Sequence, residues 1–146
     1  MKYFIFLYPI PEIINWEIKN RSYGQAGGEN VFRQKCKEIL NQCVDARYRK
    51  NGFIIHWAIF NDCVVSDIID VQPSDKIIKV GLTLKDHRTK RTNGKYPYPR
   101  SDFILNQLSE IDSIRIAGFH MWDCVEKKNW RKKLTSGNLI LWSTRI

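Results

Sequence analysis

Tyr3-Phe4-Ile5-Phe6-Leu7-Tyr8 is the stretch on which the fold turns. Apolar and aromatic residues follow one another without the alternate polar positions that a strand with one wet face would show. Such a run belongs to a strand buried on both faces, as in a parallel sheet covered by helices. Pro9 and Pro11 close it, because proline cannot donate to a strand ladder. Downstream, residues 12–28 contain Tyr23-Gly24 and Gly27-Gly28 and are expected to form an irregular connection. From Asn30 to Lys50 apolar side chains recur at Phe32, Cys36, Ile39, Leu40, Cys43, Val44 and Tyr48. That is the stripe of an amphipathic helix, ended by Asn51-Gly52.

Phe53 to Phe60 reads as a second strand, Val64 to Val71 fits neither period cleanly, and Lys76 to Leu84 reads as a third strand. The basic segment Lys85 to Lys95 is expected to be a loop continuing through Tyr96-Pro97-Tyr98-Pro99. Ser101 suits the N-cap of a helix from Asp102 to about Glu110, with Phe103, Ile104 and Leu108 turned inward. Ser113 to Gly118 is a fourth strand. A helix then opens near Cys124 and stops at Ser136-Gly137, and Leu139 to Ser143 forms a fifth strand. Short apolar strands alternating with helices predict an α/β fold: three layers, with a mostly parallel five-stranded sheet and helices on both faces.

Length and composition agree with one such unit. The chain has 146 residues, which is single-domain size, so residues 1–146 are read as one α/β domain. An apolar content of 43% excludes wholesale disorder. The longest apolar runs fall well short of the roughly 18 residues that a membrane span requires. Met1-Lys2 and the apolar run after it have the look of a signal peptide, but no small-residue cleavage site follows. An intracellular, cytoplasmic protein is therefore expected, with no membrane partner.

The four cysteines, Cys36, Cys43, Cys63 and Cys124, form no C-x-x-C pair and match no zinc spacing. With only three histidines, at 56, 87 and 120, no metal or other cofactor is expected. The cysteines then read as buried thiols, any one of which could serve as a nucleophile. The net charge of +9 admits an acidic or nucleic-acid partner, so its distribution matters. It gathers in residues 85–95 and in Lys127 to Lys133, with Tyr96, Tyr98 and Trp130 close by. A solvated loop and a solvated helix face account for both clusters, and no nucleic-acid-binding signature accompanies them. Nucleic acid is thus a possible but disfavoured partner. Trp16 or Trp130, if exposed, would mark a contact between copies in a homo-oligomer.

In open parallel sheets ligands bind outside the carboxyl ends of the strands. Four segments lie there: Tyr8 to Glu12, Asn61 to Cys63, residues 85–100, and Phe119 to Cys124. The last carries the most chemistry. Gly118-Phe119-His120-Met121-Trp122-Asp123-Cys124-Val125 runs from a buried strand into the first turn of an expected helix. A thiol at that position meets unpaired backbone N–H groups and the positive end of the helix dipole, which favour the thiolate. The same N–H groups suit a developing oxyanion.

Gly118 six residues before Cys124, with Val125 directly after, resembles the nucleophile segment of the isochorismatase-like hydrolases. The resemblance covers residues 95–142 with some specificity and the remainder as topology. It implies a parallel sheet flanked by helices and cleavage of a C–N bond in a small-molecule substrate through a cysteine thioester. It also implies a triad of cysteine, lysine after the third strand, and aspartate after the first. Cys124 takes the nucleophile's place. Ser101-Asp102-Phe103 resembles the residues that follow the family lysine, which makes Lys95 the counterpart, eight residues before Phe103. The family aspartate has no counterpart in Leu7-Tyr8-Pro9, and Glu12 or Asp123 would have to replace it. Tyr8, Phe103, His120 and Trp122 are the expected substrate contacts. Against this stand a catalytically degenerate relative that only binds or regulates, and a basic nucleic-acid-binding module.

Overall fold

Strand β1 (Lys2–Leu7) is flanked on one side by β2 (Phe53–Ile59) and on the other by β4 (Ser113–Gly118) in a computed structural model. The structure describes residues 1–89 and 101–118, and residues 140–144 as backbone only. Beyond β2 lies β3 (Lys76–Lys79), and beyond β4 lies β5 (Ile140–Thr144), giving the order β3-β2-β1-β4-β5. Every pairing is parallel. The α/β class with a parallel sheet and helices follows directly from these pairings.

The central strand owes its place to its sequence. Phe4, Ile5 and Phe6 have no exposed surface at all, so both faces of β1 are covered. Successive side chains point to opposite faces, and two clusters result. Phe4 and Phe6 join Trp57 and Ile55 under α1 (Pro11–Arg21) and α2 (Gly28–Arg47), which contribute Ile14, Ile18, Leu40 and Val44. Tyr3, Ile5 and Leu7 join Ala58, Ile114 and Ile116, together with Leu84 of α3 (Leu84–Thr89) and Ile104 of α4 (Ser101–Leu105). Right-handed crossovers explain the division. The β1-to-β2 and β3-to-β4 connections run in opposite directions along the sheet, so they reach opposite faces.

Several boundaries differ from the sequence expectation. Residues 12–28 are expected from the sequence to be irregular, but Pro11–Arg21 is helical, with Pro11 at the first helical position after extended Ile10. The third strand stops at Lys79 rather than Leu84, because Gly81 takes a φ of 79° that ends the extended chain. The basic segment is not a loop from its start, since Leu84–Thr89 is α3. The helix after Ser101 ends at Leu105 instead of Glu110. Val64 to Val71 contains no strand or helix. The helix expected from Cys124 to Ser136 lies outside the described residues.

A buried ion pair fastens the entry to β3. The Asp75 side chain is fully covered and accepts from Arg49 Nε at 3.0 Å, Arg49 Nη2 at 2.5 Å, Trp57 Nε1 at 3.0 Å and the Gln72 amide at 3.0 Å. Burial alone would raise this carboxyl's pKa. The Arg49 hydrogen bonds, the Gln72 and Trp57 donors and the Arg49 charge outweigh that and hold it below the usual carboxylate range. Arg49 belongs to a short 3-10 turn, Arg49–Asn51, between α2 and β2. The pair therefore ties that turn to the segment leading into β3.

Candidate functional site

The strand order reverses between β1 and β4. At such a reversal the connections leave for opposite faces of the sheet and open a crevice at the strands' carboxyl ends. Here Leu7, the last residue of β1, stands level with Ala58 of β2 and Gly118 of β4. A Cβ at Gly118 would make only ordinary contact with the Leu7 carbonyl oxygen, at 3.5 Å.

Tyr8 begins the turn out of β1 with a φ of 62°, a left-handed conformation that a bulky L-residue adopts only under constraint. Its amide donates to the Ala58 carbonyl at 2.8 Å, and its ring stacks on Phe60 with centroids 4.4 Å apart. With 2% of its surface exposed, Tyr8 belongs to the core beneath this turn. Pro9 accepts from the Ser66 amide at 2.8 Å, which fixes the turn to the segment after β2. Pro11 then starts α1 and puts Glu12 in its first turn, where a negative charge is favoured by the helix dipole. Glu12 is exposed, and Trp16 one turn further on is 56% exposed. Glu12, Ile13 and Trp16 face Arg88 of α3 across a depression of about 290 Å³.

The second rim is built from the end of β2. The Asn61 amide donates to the Leu82 carbonyl at 2.9 Å, and the Asn61 side-chain oxygen accepts from the Gly81 amide at 3.1 Å. Asp62 accepts from the Leu84 amide at 2.7 Å, and that bond holds its carboxyl below the ordinary range. Cys63 is 6% exposed. Burial, followed by the charges of Glu12 and Asp62, pushes its thiol up to about 12. A group so shifted stays protonated at neutral pH and is a poor nucleophile. Among the described residues the crevice thus offers carboxylates, a guanidinium and aromatic surface, and no group of three His, Cys, Asp or Glu that could hold a metal ion.

Three of the residues singled out in the sequence fall in the described chain. Tyr8 and Glu12 lie at the end of β1. Phe103 rests on Gly81 after β3, where a glycine Cβ would come within 3.1 Å of its ring, and it is 48% exposed. Cys124, Lys95, Asp123, His120 and Trp122 lie outside the described residues. Sequence reading did not select Arg88 for the site, and it weighed Trp16 only as an interface marker. Trp16 lies one helical turn from Glu12, but with residues 12–28 read as irregular that spacing carried no signal. Arg88 carried none either within its charged run.

Comparison with family models, with curated proteins and with solved structures gives no match. The site is therefore read from its own geometry. No helix among the described residues is long and apolar enough to cross a membrane.

Proposed function

We propose that the protein is an isochorismatase-like hydrolase of three-layer, five-stranded build that attacks a small amide or related C–N substrate through Cys124. One observation carries the reading. The strand order reverses at β1 and β4, with Gly118 level with Leu7, and Cys124 follows Gly118 by six residues. A nucleophile delivered by the segment after β4 belongs to the crevice that this reversal creates.

In this mechanism the Cys124 thiolate attacks the substrate carbonyl carbon, and the backbone N–H groups of the helix start expected there from the sequence would receive the oxyanion. The general acid–base, the Glu12 or Asp123 carboxylate, takes the thiol proton as the sulfur attacks and hands it to the departing nitrogen as the C–N bond breaks. Water, deprotonated by the same group, then cleaves the thioester and regenerates the thiol. Lys95 supplies positive charge beside the site. Tyr8, Phe103, His120 and Trp122 shape the substrate's surroundings.

A screen of small amides with the wild type, Cys124→Ser, Glu12→Gln and Asp123→Asn tests this assignment. Turnover is expected to disappear in Cys124→Ser and to fall by about 10²–10⁴-fold in Glu12→Gln if Glu12 is the general acid–base, or in Asp123→Asn if Asp123 is. Equal turnover in Cys124→Ser and the wild type would remove the nucleophile. A second reading, a relative that binds its ligand without cleaving it, is favoured by Tyr8. This buried aromatic residue leaves β1 where the family carries its aspartate, and it packs on Phe60. Ligand-dependent thermal stabilisation with no turnover on any amide would select that reading.

A further inference from the structure

Away from the strand ends, a cavity of about 190 Å³ lies between α1 and α2. Its walls are apolar, with Ile14, Phe32, Leu40 and Ile68 among them. An apolar cavity of about 150 Å³ in another protein stays dry and takes up benzene, so this one has room for roughly six to eight carbon atoms. The space opens to solvent at one side, where Ile39, also part of the lining, is 64% exposed.

The polar part of the lining has a direction. Glu17, with 7% of its side chain exposed, binds Arg21 Nε at 2.7 Å one helical turn away. Arg21 itself is 59% exposed and lines the cavity, which puts its guanidinium at the mouth. The terminal nitrogens of a guanidinium form a fork that matches a carboxylate. Cys36 also lines the cavity. Burial raises its thiol pKa, and the nearby Arg21 charge opposes that rise.

We propose that this cavity binds a small amphiphilic carboxylate, its hydrocarbon body between α1 and α2 and its head on Arg21. The site is independent of the hydrolase assignment and shares no residue with it. A chain carrying a net charge of +9 also draws anions toward its surface.

Cys36 provides the readout and Cys43, on the same helix but outside the lining, the control. The wild-type protein is treated with N-ethylmaleimide in the presence of hexanoate, hexanol or acetate, and each cysteine's alkylation rate is followed by peptide mass spectrometry. Saturating hexanoate should slow Cys36 by about tenfold while Cys43 is unchanged, a loss of reactivity set by the occupied fraction. Hexanol should protect less and acetate not at all. In Arg21→Gln, hexanoate should lose its advantage over hexanol; the wild-type comparison stands if that variant does not fold. Three results would overturn the proposal: no protection by hexanoate, equal protection by acetate, or equal slowing of Cys43. Equal protection by hexanol in the wild type would overturn the carboxylate assignment.

Discussion

Tyr8 holds a left-handed backbone in place by burial, and two opposing terms meet in that one residue. Removing its ring should cost about 3–5 kcal/mol, as for other large buried aromatics. The φ of 62° adds about 1–2 kcal/mol of strain to any residue with a Cβ and almost none to glycine. Urea unfolding should therefore rank Tyr8→Gly above Tyr8→Ala in stability, reversing the order usual for those two replacements; the usual order would mean the turn is unstrained. Two further residues set the response to acid. His56 is 5% exposed and its Nδ1 has no hydrogen-bond partner. Burial lowers its pKa, with Lys76 adding to the effect while the Ile54 carbonyl and Asp75 oppose it. The unfolded chain then takes a proton first, so stability falls as pH drops below the unfolded value of ~6.5. Asp75 works at lower pH. Its folded carboxyl is depressed, so its contribution is complete above the unfolded value of ~3.9 and is lost as pH falls through the folded one. His56→Leu should flatten the stability curve just below roughly pH 6.5 and leave the lower limb intact. Asp75→Asn should do the reverse, and a His56→Leu curve superimposable on the wild type would show that His56 titrates as it does in the unfolded chain.

Elements were legible in the sequence where burial was two-sided and hidden where distant partners decided the outcome. The run from Tyr3 to Tyr8 announces a central strand because covering both faces leaves no polar position. Ser113 to Gly118 was likewise visible. Helix α1 was not: only Ile14, Glu17 and Ile18 are buried along it, and the glycines at 24, 27 and 28 extended the apparent loop backward. The start of α3 depends on Thr83, whose hydroxyl accepts from the Asp86 amide at 3.0 Å, and on Asp62, which caps the Leu84 amide from another segment. The second bond is tertiary and leaves no local pattern. Gly81 shows the same limit, because its role requires both a φ of 79° and the Phe103 ring close by. Gly81→Ala should destabilise by more than the ~1–2 kcal/mol of backbone strain alone. In a Phe103→Ala background the cost should fall to that strain, giving a favourable coupling in a double-mutant cycle. Strict additivity would show that α4 yields without resistance.

For the molecule as a whole, strand order carries the functional argument. A parallel sheet ordered β3-β2-β1-β4-β5 has one place where the connections part, and the ends of β1 and β4 meet there. The location of the site was legible because an alternation of strands and helices restricts the topology to few choices. Its chemistry was only partly legible. Glu12 and Tyr8 lie at the end of β1, whereas Trp16 of α1 and Arg88 of α3 line the depression from two different elements. Cys63, a thiol at the same edge, is set aside by its surroundings: burial and two neighbouring carboxylates hold it near 12. That leaves Cys124 as the thiol on which the account depends. The most direct measurement is the rate of iodoacetamide alkylation of each cysteine against pH, resolved by peptide mass spectrometry. The account predicts that Cys124 reacts with an apparent pKa well below the ~8.5 of a free thiol while Cys63 stays inert at neutral pH. A Cys124 that titrates with Cys36 and Cys43, or reacts no faster than Cys63, would contradict it.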